Sequence, residues 1–261
     1  MKETDYEYNG LMALFWDLLR GDTSQWPDRF FFKEVILSSG QPALDVGCGT
    51  GRLLLDYLAE GIDIDGVDNS QEMLEICREK AGKLGLKPTL YQQTMEELDL
   101  PGKYQTIIVP SHSFQLIIEL EDAAKVMRRF YKHLERGGTL IMPFKILYTG
   151  EDDQPIAPED WWLMVEKENP ADGALVQRWI RYRYDIDNQL EHTEDRYDVL
   201  REGEVIASQY HARSPATRWY TQEQATELYK QAGFTNIRVT HELTNEPALE
   251  GDTLFCVFGS R

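Results

Sequence analysis

Hydrophobic and polar positions change period along this chain of 261 residues, and the period predicts which elements form. Near the amino terminus, hydrophobic residues recur every three or four positions, which predicts an amphipathic helix over about 5–20. The residues in this pattern are Leu11, Leu14, Phe15, Leu18 and Leu19. A second helix is expected to follow Pro27, because proline is favoured in the first helical turn.

Between residues 42 and 145, short hydrophobic runs alternate with amphipathic segments. The runs predict strands at 43–46, 62–67, 88–92, 104–110 and 138–144. Helices are predicted between them near 51–59, 70–84 and 120–135. The pair Gly137-Gly138 is expected to end the last helix before a strand begins at Thr139. Because strands that alternate with helices need crossover connections, we expect a mostly parallel sheet covered on both faces.

The pattern changes after Lys145 to a loop rich in Asp, Glu and Pro, followed by strict alternation. Turn residues at Asp187-Asn188 and Glu202-Gly203 divide this alternation and predict an antiparallel meander over 161–213. The α/β pattern then resumes with a helix at about 221–232 and strands at 235–242 and 253–258. We therefore predict an α/β domain of residues 1–145 and 219–261, interrupted by an antiparallel β insertion over 146–218.

Charge and cysteine content narrow the class of protein. The net charge of −18 repels phosphate backbones, so we expect no nucleic-acid partner. The three cysteines form no Cys-x-x-Cys pair, and their odd number favours a reducing compartment. The acidic start of the chain does not resemble a secretory signal, and no hydrophobic run approaches the roughly 18 residues of a membrane helix. We expect a soluble, cytoplasmic protein without a membrane partner.

The segment ALDVGCGTGRLLL places Gly47, Gly49 and Gly51 between a strand-like run and a helix-like run. Such a turn leaves backbone N–H groups free at a helix start, where a ligand can approach the main chain. A dinucleotide-binding turn would need its third glycine at Arg52. Asp45 just before the turn disfavours a pyrophosphate and favours an ammonium group. S-adenosylmethionine fits these requirements through its α-amino group and sulfonium.

A second acid follows at the spacing expected for a ribose contact. Asp68 lies 19 residues after Gly49 and ends a hydrophobic run, where an acid can bind both hydroxyls of a ribose. Asp65 is the rival for this role, and Asp68 could instead serve only as a turn residue. Ser70, two positions later, is a candidate helix N-cap.

Residues 42–145 resemble the class I S-adenosylmethionine-dependent methyltransferases, with LDVGCGTGRLL as the first motif and GVDNSQEML as the second. The resemblance implies a doubly wound, mostly parallel seven-stranded sheet of the Rossmann-like methyltransferase type. It also implies that Asp45, Gly47 and Gly49 hold the methionine part and that Asp68 holds the ribose. Asn69 would lie beside the ribose and adenine. An amino-terminal helical segment with Tyr6 and Tyr8 would close over the cofactor or simply pack on the sheet.

The resemblance also bears on the loops after the third and fourth predicted strands and on the cysteine of the glycine turn. Thr94 stands where similar enzymes carry an acid near the adenine, and Met95 would pack on the ring or belong to the core. The predicted cofactor contacts are completed by Cys48, Glu96, Pro110 and Ser111. Cys48 is expected to pack inside the turn rather than to act as a nucleophile. His112 is either a general base or a residue that shapes the pocket.

These features predict a metal-independent methyltransferase that acts on a nitrogen or oxygen nucleophile of a small molecule. The alternative is a protein that binds S-adenosylmethionine or S-adenosylhomocysteine without catalysis. The insertion is expected to cover the acceptor side with aromatic walls from Trp161, Trp162 and Tyr182. Its arginines either recognise an anionic group or line a solvated face; they are Arg178, Arg181, Arg183 and Arg196. The sequence assigns no catalytic residue and is compatible with a homodimer.

Overall fold

The computed structural model describes residues 8–148 and 160–261. Its helices are α1 (Gly10–Leu14), α2 (Trp16–Arg20), α3 (Pro27–Ser39), α4 (Leu54–Ala59), α5 (Gln71–Leu84), α6 (Leu120–His133) and α7 (Gln222–Gln231). Its strands are β1 (Ala43–Val46), β2 (Ile64–Asp68), β3 (Leu90–Gln92), β4 (Tyr104–Ile108), β5 (Leu134–Lys145), β6 (Trp162–Glu168), β7 (Leu175–Asp185), β8 (Leu190–Arg201), β9 (Glu204–Arg218), β10 (Thr235–His241) and β11 (Leu254–Ser260). A short 3-10 turn covers Ser113–Leu116.

The described residues divide into two units. The larger unit draws on Ser24–Leu147 and Arg218–Arg261, and the smaller unit on the described residues of Met1–Thr23 and Tyr148–Thr217. The sequence-based division differs at the amino terminus, because it assigned residues 1–23 to the α/β domain. Tyr6 and most of the predicted loop at 146–160 lie outside the described residues.

The larger unit is built on a seven-stranded sheet in the order β10-β11-β5-β4-β1-β2-β3. Strands β1 to β5 pair in parallel, whereas β11 runs antiparallel to both of its neighbours. The predicted fold class, a mostly parallel sheet with an antiparallel insertion, is confirmed.

Neighbouring residues of the central strand β1 enter two separate hydrophobic clusters. Leu44 and Val46 of β1 belong to a cluster with α6 and α7. Ala43, one position away, belongs to a second cluster with α3, α4 and α5. Because side chains alternate across a sheet, both faces are buried and only the strand ends are available for a ligand.

Helix caps follow the sequence signals closely. Ser70 accepts the N–H of Met73 at 3.1 Å and begins α5, which ends at Gly85 in the left-handed conformation. Thr221 and Gln224 bond reciprocally at the start of α7, at 3.2 and 2.8 Å. These ends are fixed by local chemistry, so the sequence predicts them well.

Several predicted boundaries differ from the structure, and the differences near the amino terminus and at β5 change an element. The predicted helix over 5–20 is, in its described part, two short helices that break at Phe15. Strand β5 starts at Leu134, before Gly137-Gly138, instead of at Thr139. The glycine pair is held in the sheet by the last residue, because Gly137 and Arg261 donate to the carbonyls of Arg261 and Gly138, each at 2.9 Å. This pairing joins distant parts of the chain and leaves no local signal.

The smaller unit contains an antiparallel sheet in the order β6-β7-β8-β9. Glu202 and Gly203, both at positive φ, turn β8 into β9 as predicted. Phe15 packs with Ala174 and Val176 in the core of this unit. Among all described residues, no helix is long and apolar enough to cross a membrane.

Candidate functional site

The glycine turn follows β1 and is fixed by β2. The N–H groups of Gly47 and Cys48 donate to the carbonyl of Val67 at 2.8 and 3.1 Å. Gly51 has φ +81°, and a Cβ there would lie 2.5 Å from Sγ of Cys77. Gly49 has φ +53°, yet an added Cβ would meet nothing within 4 Å. The missing side chain of Gly51 therefore leaves room for Cys77 to pack against the turn. Gly49 instead borders open space, where a ligand can approach the backbone.

Asp68 links this turn to the end of β2. Its Oδ2 accepts the N–H of Gly49 at 2.8 Å, and its Oδ1 accepts the N–H of Ser70 at 2.9 Å. Burial raises the pKa of Asp68, while backbone N–H groups of Ser70, Gly49 and Asn69 oppose that shift. Each carboxylate oxygen retains acceptor capacity for a further hydrogen bond. The carboxylate can thus serve both as a turn residue and as a ribose acceptor.

Asp45 is a buried carboxylate, only 2% exposed. Its Oδ1 has no hydrogen-bond partner within the described ranges 8–148 and 160–261. Burial raises the pKa of Asp45 to about 7, the positive charge of Arg52 opposes the rise, and the charges of Asp68 and Asp28 add to it. An unpartnered buried oxygen is suited to a cationic donor. The α-amino group of S-adenosylmethionine is such a donor, so these residues fit the cofactor.

An ion pair that the sequence analysis missed stands beside this carboxylate. Arg52 binds Asp28 through two hydrogen bonds, with Nη1 3.0 Å from Oδ1 and Nη2 2.5 Å from Oδ2. Its guanidinium also lies 5.2 Å from the ring centroid of Trp26. In the sequence analysis, Arg52 mattered only because it stands where a dinucleotide-binding turn needs its third glycine. No spacing rule connects it with Asp28, 24 residues away.

Cys48 packs within the turn. It is buried, and burial together with the nearby charge of Asp45 raises the pKa of its thiol. A Cβ on Gly66 of β2 would lie 2.9 Å from its sulfur. The environment agrees with the prediction of a packing residue and disfavours a thiolate nucleophile.

The loop after β3 is tied to the same strand ends. Gln93 donates its N–H to the carbonyl of Asp68 at 3.1 Å. Thr94 accepts the N–H of Glu97 at 3.3 Å, and the partly buried Met95 packs against the core beneath α6. Thr94 therefore caps its own loop, and Met95 contacts the core while remaining partly exposed. The contacts of Thr94, Met95 and Glu96 with an adenine stay predictions.

The loop after β4 carries two consecutive residues in the left-handed region, Ser111 at φ +56° and His112 at φ +59°. Such conformations are uncommon for residues other than glycine and concentrate at functional sites. Ser113 donates to the carbonyl of Pro110 at 2.8 Å, and its Oγ would lie 3.0 Å from a Cβ on Gly47. The loop thus touches the glycine turn directly.

The imidazole of His112 has a polar atom without a partner. Its Nε2 is buried and makes no hydrogen bond within the part of the chain that the structure describes. Burial lowers the pKa of His112 to about 4; the charge of Lys145 lowers it further, while that of Asp28 opposes the shift. The ring is therefore neutral at pH 7. A neutral imidazole can accept a hydrogen bond, but it is a weak proton acceptor.

Gln115 holds this loop against two distant backbone segments. Its side-chain amide donates to the carbonyls of Lys145 and Arg218, both at 3.0 Å, and its Oε1 accepts the N–H of Lys145 at 2.7 Å. Arg218 in turn donates to the carbonyl of Ile118 at 2.6 Å. The fully buried Gln115 therefore fixes the loop to the residues where the chain leaves and re-enters the larger unit.

Within the smaller unit, the predicted aromatic wall divides into two groups. Trp162 meets Tyr182 edge to face at 6.3 Å. Trp161 instead stacks under the guanidinium groups of Arg181 and Arg196, at 4.8 and 5.3 Å. The two tryptophans differ because successive residues of an extended chain point in opposite directions.

Three of the four arginines predicted to recognise an anionic group bind carboxylates of this unit. Arg178, Arg181 and Arg196 contact Asp195, Glu194 and Asp198, respectively, at 2.7, 2.6 and 2.9 Å. This internal pairing weakens the prediction that they recognise an anionic substrate.

The predicted cofactor residues meet along one edge of the larger unit. Each group lies at or just after the end of one parallel strand. The end of β1 is followed by Gly47, Cys48 and Gly49 and preceded by Asp45; β2 ends at Asp68, before Asn69. The loop after β3 holds Thr94, Met95 and Glu96, and the loop after β4 holds Pro110 and Ser111. This is the carboxyl edge of the parallel strands, where open α/β sheets bind ligands. Their roles as cofactor contacts stay predictions.

Sequence comparisons agree with this geometry. Residues 43–138 match a family model described as "Methyltransferase domain". The chain is 25% identical to a putative methyltransferase of Geobacillus sp. (strain WCH70) over 215 residues, which cover 82% of each protein. It is 29% identical to glycine/sarcosine N-methyltransferase of Halorhodospira halochloris over 153 residues, which cover 54% of this chain and 56% of that protein.

Solved structures share the fold. An S-adenosylmethionine-dependent methyltransferase from Clostridium acetobutylicum superposes with a TM-score of 0.74 at 22% identity, covering 97% of this chain and 98% of that one. CalS10 from Micromonospora echinaspora, an amino pentose methyltransferase solved with S-adenosylmethionine bound, gives a TM-score of 0.65 at 17% identity. That match covers 98% of this chain and 99% of CalS10.

Proposed function

Because the chain is a class I S-adenosylmethionine-dependent methyltransferase, we propose that it methylates an amine nitrogen of a small molecule without a metal ion. The observation that carries the proposal is that two buried atoms, Oδ1 of Asp45 and Nε2 of His112, each lack a hydrogen-bond partner among the residues that the structure describes. The first suits the ammonium of the cofactor. The second belongs to the loop that touches the glycine turn and suits an acceptor with an N–H group.

Three further considerations favour an amine over an oxygen acceptor. The net charge of −18 attracts cationic substrates. One relative is named for glycine and sarcosine, and one structural neighbour for an amino pentose. The neighbour supports the proposal only as fold-level analogy. Because His112 is a weak proton acceptor, the site favours a nucleophile that reacts as the neutral amine over a hydroxyl that needs deprotonation.

S-adenosylmethionine supplies an electrophilic methyl group when it is bound. The acceptor nitrogen would form its bond to the methyl carbon with its lone pair, and the electron pair of the broken carbon–sulfur bond would remain on sulfur. The products are S-adenosylhomocysteine and a protonated N-methylamine, which loses its proton to solvent. The chain's own residues bind, orient and desolvate the reactants, which can account for a large share of the rate.

Metal independence is supported by the donor set of the loop after β4. Pro110, Ser111, His112 and Ser113 include no carboxylate of the kind that holds a divalent cation. The expected result is full turnover in EDTA. Loss of turnover in EDTA with recovery in magnesium would contradict this part of the proposal.

The test of the function is S-adenosylhomocysteine release with a panel of small amines that includes glycine, sarcosine, phosphoethanolamine and amino sugars. Each amine is paired with its N-acetylated form, which lacks the nucleophilic lone pair and serves as the control. Release with the free amine alone supports the proposal. Equal release with the N-acetylated amino sugars, which keep their hydroxyl groups, would favour an O-methyltransferase. Binding of S-adenosylhomocysteine with no release in any panel member would favour the non-catalytic alternative.

We also propose that the smaller unit supplies acceptor contacts. The support is its connection to the end of β5 and its exposed aromatic residue Trp162, 52% exposed. Trp162→Ala is expected to raise KM for the amine found in the panel at least severalfold without changing S-adenosylhomocysteine affinity. Trp161→Ala is the matched control, because Trp161 stacks on arginines and its loss should lower stability instead. An unchanged KM in Trp162→Ala would contradict the assignment.

A cytoplasmic location remains part of the proposal, supported by three buried free cysteines, Cys48, Cys77 and Cys256. Cell fractionation with an antibody to the protein tests it.

A further inference from the structure

We infer that Nε2 of His112 accepts a hydrogen bond from the acceptor nitrogen and so orients its lone pair toward the methyl group. This inference rests on the proposed function and assigns a residue to the acceptor side of the site. It starts from the orphaned nitrogen. A buried polar atom without a partner is uncommon in folded proteins, because each costs free energy, and a bound ligand can satisfy it.

The position of His112 relative to the cofactor turn is the second step. Ser113, the next residue, lies against Gly47, because its Oγ would be 3.0 Å from a Cβ added there. Gly47 and Asp45 are the residues predicted to hold the methionine part, whose sulfur carries the methyl. His112 is therefore one residue from a direct contact with the methionine end of the site.

Rigidity of the loop is the third step. His112 is held at φ +59° between the Pro110–Ser113 hydrogen bond and the 3-10 turn at Ser113–Leu116. Gln115 in that turn is fully buried and bonded on both sides of its amide. An imidazole on so constrained a backbone can hold a fixed direction, which orienting a nucleophile requires.

The neutral state of the His112 imidazole is consistent with Nε2 accepting a hydrogen bond rather than donating one. Lys145 and Asp28 are the charged groups whose fields reach His112, and burial keeps its pKa near 4. At neutral pH, with the proton on Nδ1, Nε2 presents a lone pair. Turnover should therefore rise with pH as the amine loses its own proton, and no ionisation of His112 should appear between pH 6 and 9.

The test uses sinefungin, an analogue of S-adenosylmethionine in which an amine-bearing carbon replaces the methylsulfonium. Its amine occupies the place of the methyl group and can donate to Nε2 without any acceptor being present. Calorimetry compares sinefungin with S-adenosylhomocysteine for the wild type, His112→Phe and His112→Asn. We expect His112→Phe to weaken sinefungin binding by about tenfold or more, as for one hydrogen bond to a charged group, and to leave S-adenosylhomocysteine unchanged. His112→Asn should recover part of the loss through its amide oxygen.

His133→Asn is the matched control, because His133 is a buried imidazole that ends α6 directly before β5 begins, at the edge of the sheet opposite to the predicted cofactor residues. Its Nε2 accepts the N–H of Leu100 at 2.9 Å, so its loss should lower stability and leave both affinities unchanged. If His112→Phe lowered the affinities for sinefungin and S-adenosylhomocysteine equally, or lowered neither, the inference would be overturned. The proposed methyltransferase function would not be affected by that result. Failure of the wild type to bind S-adenosylhomocysteine would overturn both.

A second measurement needs no substitution. In protein with ¹⁵N-labelled histidine, the Nε2 signal of His112 should be that of an unprotonated nitrogen at pH 7. It should shift on addition of sinefungin and not of S-adenosylhomocysteine. Identical spectra with the two ligands would contradict the assignment even if His112→Phe failed to fold.

Discussion

Gly49 donates its backbone N–H to Oδ2 of Asp68 across 2.8 Å, which joins the turn after the first strand to the acid that ends the second. The carboxylate predicted to bind the ribose therefore also fixes the loop predicted to bind the methionine part. Substitutions at this acid should affect both folding and cofactor affinity, and the design of experiments has to separate the two effects.

The first prediction concerns the two rival acids of β2. Asp68→Ala should weaken S-adenosylhomocysteine binding by about 1.5–3 kcal/mol, because charge-assisted hydrogen bonds are lost. Asp65→Ala is the control, since Oδ2 of Asp65 accepts the hydroxyl of Tyr104 at 2.9 Å and is engaged elsewhere. Calorimetry at matched folded fractions measures both. A larger loss for Asp65→Ala would transfer the ribose role to that residue.

The second prediction is a pH dependence of cofactor binding. Asp45 has a pKa of about 7, so it is partly protonated at neutral pH, and an ammonium group binds its ionised form better. Affinity for S-adenosylhomocysteine should therefore fall as the pH drops from 8 to 6, and binding near pH 7 should release protons. Calorimetry in buffers of different ionisation enthalpy counts those protons. Asp45→Asn should remove the release, and release persisting in that variant would assign it to another group.

The third prediction follows from the same pKa and concerns stability. Because the folded-state pKa of about 7 exceeds the unfolded value near 4, the folded state binds more protons between these pH values. This group's contribution to the free energy of unfolding is thus most favourable below pH 4 and falls until about pH 7. Asp45→Asn should match the wild type near pH 4 and exceed it by a few kcal/mol at pH 8, at about 1.4 kcal/mol per pKa unit. Urea unfolding at both pH values measures the difference, and an equal effect at both would refute the ionisation argument.

The fourth prediction separates packing from ligand binding within the glycine turn. Gly51→Ala should lower the free energy of unfolding by about 2–4 kcal/mol, because the new Cβ would meet Cys77 at 2.5 Å in a left-handed backbone. Gly49→Ala should cost only about 1–2 kcal/mol, for the backbone alone. Its methyl group enters the open space at Gly49, so S-adenosylhomocysteine affinity should fall at least tenfold. Chemical unfolding and calorimetry test the pair, and equal stability losses would argue against the proposed division.

The sequence by itself determined most of the larger unit and the identity of its cofactor. Strand β1 and helices α3 and α5 lie where periodicity and caps predicted them, because these signals act within a few residues. The glycine turn and Asp68 were identified for the same reason, since a fixed spacing along the chain places them at adjacent strand ends. The match of residues 43–138 to a methyltransferase family model is consistent with the resulting prediction of a class I S-adenosylmethionine-dependent methyltransferase.

Only the tertiary structure decided which partner each distant side chain meets. It paired Arg52 with Asp28, separated Trp161 from Trp162, and joined the described part of residues 1–23 to the inserted sheet. It also left Nε2 of His112 without a partner within the described residues. Each of these facts depends on contacts between segments far apart in the chain. Local propensity and spacing carry no information about such contacts, because packing of the whole unit selects them.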